Sequence, residues 1–200
     1  ALQALTDLNP TTEPGRAWPL LSGSWVSIGE DFAGTTRTID GIECTFGRLI
    51  FNAFEPAKLP ILITAIGNEI GSPTSAGGDD KPFYSIKTRF VARDGSGMRG
   101  KTTIAGYCVS NSSNPQRLQV GFAKVIIEPD DGQDVDAWKS VFHRKDESGA
   151  QAPAGDLRSS EGLSLDLTGS PEGWLDVLYL DDEIRVTRGY KGAVVVATRA

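Results

Sequence analysis

The chain has 200 residues, 39% of them hydrophobic and 23% charged, a balance typical of one globular domain with one core. Its net charge of −6 excludes a general attraction to nucleic acid. The longest apolar runs are far shorter than the roughly 20 residues that a bilayer-spanning helix needs. The 23 glycines and 11 prolines stand largely between short alternating runs, a pattern that favours an all-β chain with frequent turns.

The N-terminal segment is predicted to be the end of a helix followed by a linker. Leu2, Leu5 and Leu8 recur every three residues. Asn9-Pro10 ends the helix, because a residue before proline avoids the α region. The chain starts at Ala1 and shows no targeting peptide, as expected of a processed or trimmed product. We therefore predict one domain over residues 1–200, with the helix end and linker in 1–18 and a barrel in 19–200.

Alternating apolar and polar residues predict eight to ten strands, and one amphipathic helix interrupts them. The strands are predicted at Leu20–Val26, Gly47–Phe54, Pro60–Ile66, Phe83–Ala92, Lys101–Ser110, Gln116–Glu128, Leu163–Leu167 and Ala193–Thr198, together with the two arms of a hairpin at Gly173–Gly189. Loops are predicted at Gly71–Lys81 and Ser148–Pro153. Between the strands, the spacing of Val135, Trp138, Val141 and Phe142 predicts a short helix behind an aspartate cap.

The hairpin at Gly173–Gly189 organises the C-terminal half. With a two-residue loop at Asp181-Asp182, Val177 and Tyr179 share an apolar face that ends in Arg188. The same register places Arg185 on the opposite face, within reach of Asp176. A longer loop is the alternative, since Asp-Asp is a weaker two-residue turn than Asn-Gly.

The same hairpin also carries a family resemblance. Trp-Leu-Asp at 174–176, Tyr-Leu-Asp-Asp at 179–182 and Ile-Arg-Val-Thr-Arg-Gly at 184–189 resemble the C-terminal signature of the plastid lipid-associated proteins, or fibrillins. The Asn-Pro-Thr segment at 9–11, the Leu-Leu pair at 20–21 and Gly23-Ser24-Trp25 resemble the N-terminal pattern of that family. The strand from Pro115 to Phe122 is similar to its central strand.

The resemblance implies an all-β fold, a lipocalin-like antiparallel β-barrel with short peripheral helices. In such barrels the Gly-x-Trp tryptophan lies at the closed end, and an arginine from a late strand covers its ring. Trp25 and Arg188 are the expected pair, and the stacking contributes about 0.5–2 kcal/mol. The alternative is that Arg188 or Arg185 binds an anionic head group of a ligand.

The resemblance further implies a non-catalytic chloroplast protein of the thylakoid, the plastoglobule or the stroma. Its expected ligand is a carotenoid, a prenylquinone or a fatty acid, and its expected partners include the thylakoid or plastoglobule surface as a peripheral contact. The expected lining of the barrel is Phe51, Tyr84, Ile86, Phe90, Val120, Phe122, Val177 and Tyr179. A structural accessory subunit docked on a photosynthetic complex is the first alternative, and a lyase on a related barrel is the second.

Other candidate chemistry in the sequence has simpler explanations, so we predict no catalytic residue, cofactor or metal site. Gly95–Gly100 matches G-x-G-x-x-G, but a strand-like run follows where a dinucleotide site needs a helix. Asp130, Asp131, Asp134 and Asp136 lack calcium-loop spacing. His143 has no nucleophile elbow to serve. Cys44 and Cys108 form no metal pair, and free thiols are favoured over a disulfide.

The predicted helix around Val135–Phe142 is expected to be a contact element. Its apolar stripe needs a neighbour. One alternative is that the helix caps the barrel mouth. The other is that Trp138 and Phe142 contact a partner chain, because tryptophan is enriched at interface hot spots.

Overall fold

A computed structural model of the chain describes residues 2–73, 81–144 and 162–200. The predicted loop at 148–153 lies outside these residues, and the predicted loop at 71–81 lies mostly outside them. No helix within the described ranges is both long enough and apolar enough to cross a membrane.

Strands dominate the described chain, and the helices are short. The strands are β1 Gly23–Asp31, β2 Thr36–Thr38, β3 Gly41–Thr45, β4 Phe54–Glu55, β5 Pro60–Ile70, β6 Phe83–Ala92, β7 Arg99–Ser110, β8 Arg117–Pro129, β9 His143–Arg144, β10 Leu163–Asp166, β11 Gly173–Leu180, β12 Ile184–Gly189 and β13 Val194–Arg199. The α-helices are α1 Leu2–Asp7, α2 Trp18–Leu21, α3 Phe46–Leu49 and α4 Val135–Val141, with a 3-10 helix at Pro14–Arg16.

Eight antiparallel strands close into a barrel. They follow one another in the order β1, β13, β12, β11, β8, β7, β6 and β5, and β5 pairs back with β1. Strands β3 and β2 extend from β5, and β10 adds to β8. The predicted lipocalin-like antiparallel barrel with short helices is therefore confirmed. A barrel of this size has an interior just wide enough for packed side chains or one small ligand.

The barrel is split along one side. Strand β1 pairs with β5 only where Gly23–Val26 meet Gly67–Ile70. Further along, β5 pairs with β3 instead, Ile63 lying opposite Ile42. The second half of β1 therefore has no β5 partner, and a gap opens between them.

The interior consists of two hydrophobic clusters. The closed-end cluster contains Trp25, Tyr84, Cys108, Leu118, Val177 and Leu180, among others. The helix-end cluster contains Phe46 of α3 together with Phe90, Trp138 and Phe142. The Phe142 ring lies 4.8 Å from that of Phe46 and 4.6 Å from that of Trp138. Helices α3 and α4 thus fill one end of the barrel.

The predicted helix near 135–142 is confirmed as α4. The Asp134 carboxylate accepts the backbone N–H groups of Asp136 and Ala137, which satisfies two of the donors that a helix start leaves free. The alternative that Trp138 and Phe142 offer a partner contact is wrong. Both side chains are buried, and the Trp138 indole donates to the Arg99 carbonyl at 3.2 Å.

The predicted strand at Gly47–Phe54 is wrong. Helix α3 occupies its first half, and Phe51 and Asn52 have positive φ angles of 55° and 57°, which end the helix in a left-handed turn. The apolar run around Ile50 suits a buried short helix as well as it suits a strand, and periodicity cannot separate the two.

The predicted hairpin register is also wrong. Leu180 lies opposite Arg185, Val177 opposite Thr187 and Asp176 opposite Arg188, with a bulge between Val177 and Tyr179. The turn is longer than two residues because the Asp181 carboxylate accepts the backbone N–H groups of Glu183 and Ile184. The bulge exchanges the faces of the two hairpin arginines, since a turn that is longer by two residues leaves each side chain on its own face.

Candidate functional site

Two arginines flank the indole of Trp25 at the closed end of the barrel. The Arg185 guanidinium lies 4.6 Å from the ring centroid and that of Arg199 lies 4.5 Å from it. The indole itself is buried and donates to the Leu21 carbonyl at 2.9 Å. Both distances are within the range of a cation–π interaction.

Arg199 is the outer arginine of the pair, and it is exposed. Its guanidinium donates to the carbonyl oxygens of Leu20, Ser22 and Asp182 at 2.6–2.9 Å. These bonds tie α2 and the hairpin turn to the last strand. Arg199 therefore performs the structural role that the resemblance assigned to a late arginine.

Gly23 makes room for this contact. Its φ of +120° is a conformation that side chains disfavour, and an added Cβ would lie 2.8 Å from Nη1 of Arg199. The Gly-x-Trp pattern thus has a local cause. The glycine leaves space for the arginine that covers the tryptophan two residues later.

Arg185 is the inner arginine, and only 2% of its surface is exposed. Its strand neighbours Leu180 and Ala197 both belong to the closed-end cluster. Nη2 donates to Oδ1 of Asn68, whereas Nε and Nη1 have no partner among the described residues. Burial lowers the pKa of Arg185 to about 10, so the guanidinium is still charged at neutral pH.

The predicted contact of Arg188 with Trp25 is wrong. Arg188 points outward and donates to Asp176 at 3.4 Å. Asp176 also accepts two bonds from Arg117, at 2.7 and 3.1 Å, and Arg117 stacks on Trp174 at 3.7 Å. The Asp176 carboxylate, predicted to reach Arg185, is thus satisfied on the outer face instead.

Six of the eight predicted lining residues point into the barrel. Tyr84, Val120 and Val177 belong to the closed-end cluster, and Phe90 belongs to the helix-end cluster. Ile86 and Phe122 pack against both clusters, yet each keeps a partly exposed surface.

The other two predicted lining residues are not on the inner wall. Tyr179 lies on the outer face because of the hairpin bulge, and its hydroxyl donates to Asp181 at 2.8 Å. Phe51 belongs to the turn after α3 and is exposed. Its ring centroid lies 5.8 Å from that of Phe122, so it covers a lining residue from the rim.

A set of partly buried apolar side chains packs against the two clusters, and two of them, Ile86 and Phe122, contact both. Its members are Ile66, Ile86, Phe122, Leu175 and Val195. Each pairs in register with a neighbour that faces the interior. We call this layer the lumen. Inward-pointing apolar side chains that retain exposed surface are typical of a site for an apolar ligand.

A shallow cavity of about 100 Å³ lies where the barrel splits, and Ile66 of the lumen forms part of its wall. Across it, Glu30 of β1 pairs with Arg37 of β2, and Arg37 also contacts the Ile28 carbonyl. The Glu30 side chain is only 6% exposed. This ion pair fastens the β2–β3 hairpin to β1 across the gap.

The remaining candidate groups have structural partners. Asp130 pairs with Arg89 and Lys101, and Asp134 caps α4. His143 contacts the Val141 carbonyl. Within the described ranges, no cluster of three or more His, Cys, Asp or Glu side chains could hold a metal ion.

The two cysteines are free thiols. Burial raises the pKa of Cys108 to about 12, and it also raises the pKa of Cys44. Both therefore remain protonated at neutral pH, whereas a cysteine nucleophile would have to be a thiolate.

Sequence reasoning missed Arg199, Glu30 and Arg37 and left Arg185 as an alternative. A signal existed for one of them. Arg199 follows the alternation of the last strand, two residues beyond the inward Ala197. The inward position of Arg185 depends on the bulge between Val177 and Tyr179, which no turn residue in the sequence marks.

The closed barrel, the Gly-x-Trp start and the arginine-covered indole define a lipocalin-like barrel. The family model PAP_fibrillin matches residues 102–198. The predicted resemblance to the fibrillin family is thereby confirmed over this C-terminal part of the chain.

One curated relative agrees with the family match. The chain is 23% identical over 210 aligned positions to the "Light-induced protein, chloroplastic" of Solanum tuberosum, and the match covers 96% of the chain. The chain spans 56% of the length of that relative. The relative is chloroplastic, which supports the predicted chloroplast location. No solved structure matches.

Proposed function

We propose that the chain binds one hydrophobic plastid molecule in its lumen and carries it, without catalysis, at the thylakoid or plastoglobule surface. The observation that carries the proposal is the partly buried apolar layer that packs against the two buried clusters. A carotenoid, a prenylquinone or a fatty acid has the required apolar surface. The fibrillin match points to the same class of lipid-associated protein.

The path to the lumen is the split between β1 and β5. The cavity there is smaller than the roughly 300 Å³ or more that encloses a whole drug-sized ligand. It therefore serves as an entrance, and the lumen behind Ile66 holds the ligand. A narrow eight-stranded barrel suits a slender chain better than a bulky ring system.

A matched pair of tryptophan substitutions tests the proposal. Ile86 faces the lumen, whereas the next residue, Lys87, is exposed on the outside of the same strand. Ile86→Trp should fill the lumen and abolish binding, and Lys87→Trp should leave it intact. Binding is measured as ligand retained through gel filtration, with β-carotene, plastoquinone and oleic acid as probes. Melting curves show that both variants fold. Equal retention by the two variants would refute a ligand in the lumen.

A second candidate function is that of an accessory subunit docked on a photosynthetic complex. An exposed apolar surface favours it. Val26 and Ile28 of β1 are 46% and 55% exposed, and Ile39, at the tip of the β2–β3 hairpin, is fully exposed. Arg37 joins this hairpin to Ile28, which brings the apolar groups to one side of the barrel. We call these three residues the β1 patch.

A further inference from the structure

The two arginines on Trp25 differ in one respect that bears on the ligand. Arg199 is exposed and its guanidinium is bonded to three backbone carbonyl groups. Arg185 is buried and its guanidinium has a single bond, to the neutral Asn68 amide. Arg199 therefore already covers the Trp25 indole. This structural role does not account for the second, buried arginine at position 185.

A buried charge without a partner is costly, and proteins usually neutralise it with an opposite charge. No carboxylate of the described chain lies within ion-pair distance of Arg185. Arg199, which has the same sign, disfavours the protonated guanidinium further. The described part of the fold thus provides no anion that neutralises the charge of Arg185.

The surroundings of Arg185 suit the polar end of an amphiphile. The Tyr84 hydroxyl interacts with the side chain of Asn68, the residue that accepts from Arg185. Burial raises the pKa of Tyr84, which keeps its phenol protonated and able to donate. Thr187, buried two residues from Arg185 on the same strand, adds a hydroxyl. Two of these groups border the lumen directly, since Asn68 pairs in register with Ile86 and Thr187 with Val195.

We propose that the lumen ligand is a single-chain carboxylate, bound with its head group at Arg185 and its hydrocarbon chain along Ile86 and Phe122. This inference rests on the proposed function and narrows it to one ligand class. A carboxylate accepts hydrogen bonds only and carries the charge that Arg185 lacks. The apolar chain then lies against the partly buried apolar layer and points to the split between β1 and β5.

The experiment compares two ligands that share a chain, oleic acid and oleyl alcohol, by isothermal titration at pH 8. Wild-type protein should bind the acid at least about tenfold more tightly, since a hydrogen bond to a charged group contributes that much or more. Arg185→Met should lose this preference, so that it binds the acid no more tightly than the alcohol. Arg185→Lys, which keeps the charge, should retain part of the preference.

Arg188→Met is the matched control, because Arg188 belongs to the same strand but points outward to Asp176. It should bind both ligands as wild type does. Equal affinity of wild type for acid and alcohol would overturn the head-group assignment and leave the lumen proposal standing. Binding of neither ligand would refute the single-chain carboxylate, and retention of none of β-carotene, plastoquinone and oleic acid would refute the lumen proposal as well. The wild-type comparison needs no variant, so a failure of Arg185→Met to fold leaves the test decisive.

Discussion

At the scale of single residues, Gly23 links the Gly-x-Trp pattern to the closed end. Its φ of +120° is a conformation that side chains rarely adopt, and a Cβ added there would lie 2.8 Å from the Arg199 guanidinium, which would have to shift. We expect Gly23→Ala to lower the free energy of unfolding by about 1–3 kcal/mol, the usual cost of a strained backbone position. Chemical denaturation would measure it.

The control for this prediction is Gly29→Ala, on the same strand. An added Cβ there would meet only Val196, at an ordinary distance of 3.6 Å. That variant should be within about 0.5 kcal/mol of wild type. Equal effects at the two glycines would mean that the Arg199 contact is not the reason for Gly23.

Substitution of Arg185 is expected to have the opposite effect on stability to that of Gly23→Ala. Replacing a buried, unpaired charge by an apolar side chain of similar length is often neutral or stabilising. We expect Arg185→Met without ligand to raise the free energy of unfolding by about 1 kcal/mol, which is a rise of about 2–4 °C in Tm for a chain of this size. Calorimetry of the ligand-free protein measures it. A large loss of stability would mean that Arg185 serves the fold through Trp25.

At the scale of elements, α4 and α3 close one end of the barrel by aromatic packing. Trp138 is 1% exposed and its ring meets that of Phe142. We expect Trp138→Ala to cost about 3–5 kcal/mol, because a large cavity replaces the indole. Thermal unfolding of the isolated protein is the measurement. Phe83→Ala, at an aromatic side chain that is 44% exposed, is the control and should cost far less.

The β2–β3 hairpin is the element that borders the split between β1 and β5. The Glu30–Arg37 ion pair is its link to β1, since Glu30 is nearly buried at the gap. We expect Arg37→Met to speed both entry and release of oleic acid while changing the equilibrium affinity little, because the gate and not the lumen is altered. Stopped-flow tryptophan fluorescence would follow both rates.

Arg93→Met is a suitable control for the gate, since Arg93 pairs weakly with Glu43 of the same hairpin at 3.9 Å and at an exposed site. It should leave both rates unchanged. Unaltered rates in Arg37→Met would place the entrance elsewhere on the barrel.

The hairpin at 173–189 shows how much of this site the sequence can predict. The alternation there predicts both strands correctly, just as the alternation over Phe83–Ala92 predicts β6 at its observed bounds. The bulge at Leu178 has no glycine or proline to mark it, however, and a single inserted residue moves every later side chain to the other face. The fold could therefore be predicted, whereas the identity of the inward arginine could not.

The β2–β3 hairpin and α3 show a second limit. Both lie between β1 and β5, where the barrel splits and strands pair with their neighbours for only a few residues. Short segments give little periodicity, and their conformation is decided by tertiary packing. Phe46 and Ile50 are fully buried at the helix-end cluster, so burial rather than local propensity fixes α3.

At the scale of the whole molecule, the proposed ligand site and the β1 patch lie on opposite surfaces of the barrel wall. The lumen residues point inward, whereas Val26 and Ile28 of the β1 patch point outward and are exposed. A carrier that docks through the patch would thus keep its lumen free. The two functions can be separated by substitutions that affect one surface only.

We expect the double variant Ile28→Glu with Ile39→Glu to lose binding to isolated thylakoid membranes, because two charges replace the apolar groups that would be buried there. Its affinity for oleic acid and its Tm should remain those of wild type, since both side chains are exposed in the free protein. Co-sedimentation measures the first property, and titration and calorimetry measure the others. Tyr190→Glu, at another exposed apolar side chain, is the control. Undiminished membrane binding by the double variant would exclude the β1 patch as the docking surface, and a parallel loss of oleic acid binding would show that patch and lumen are one site.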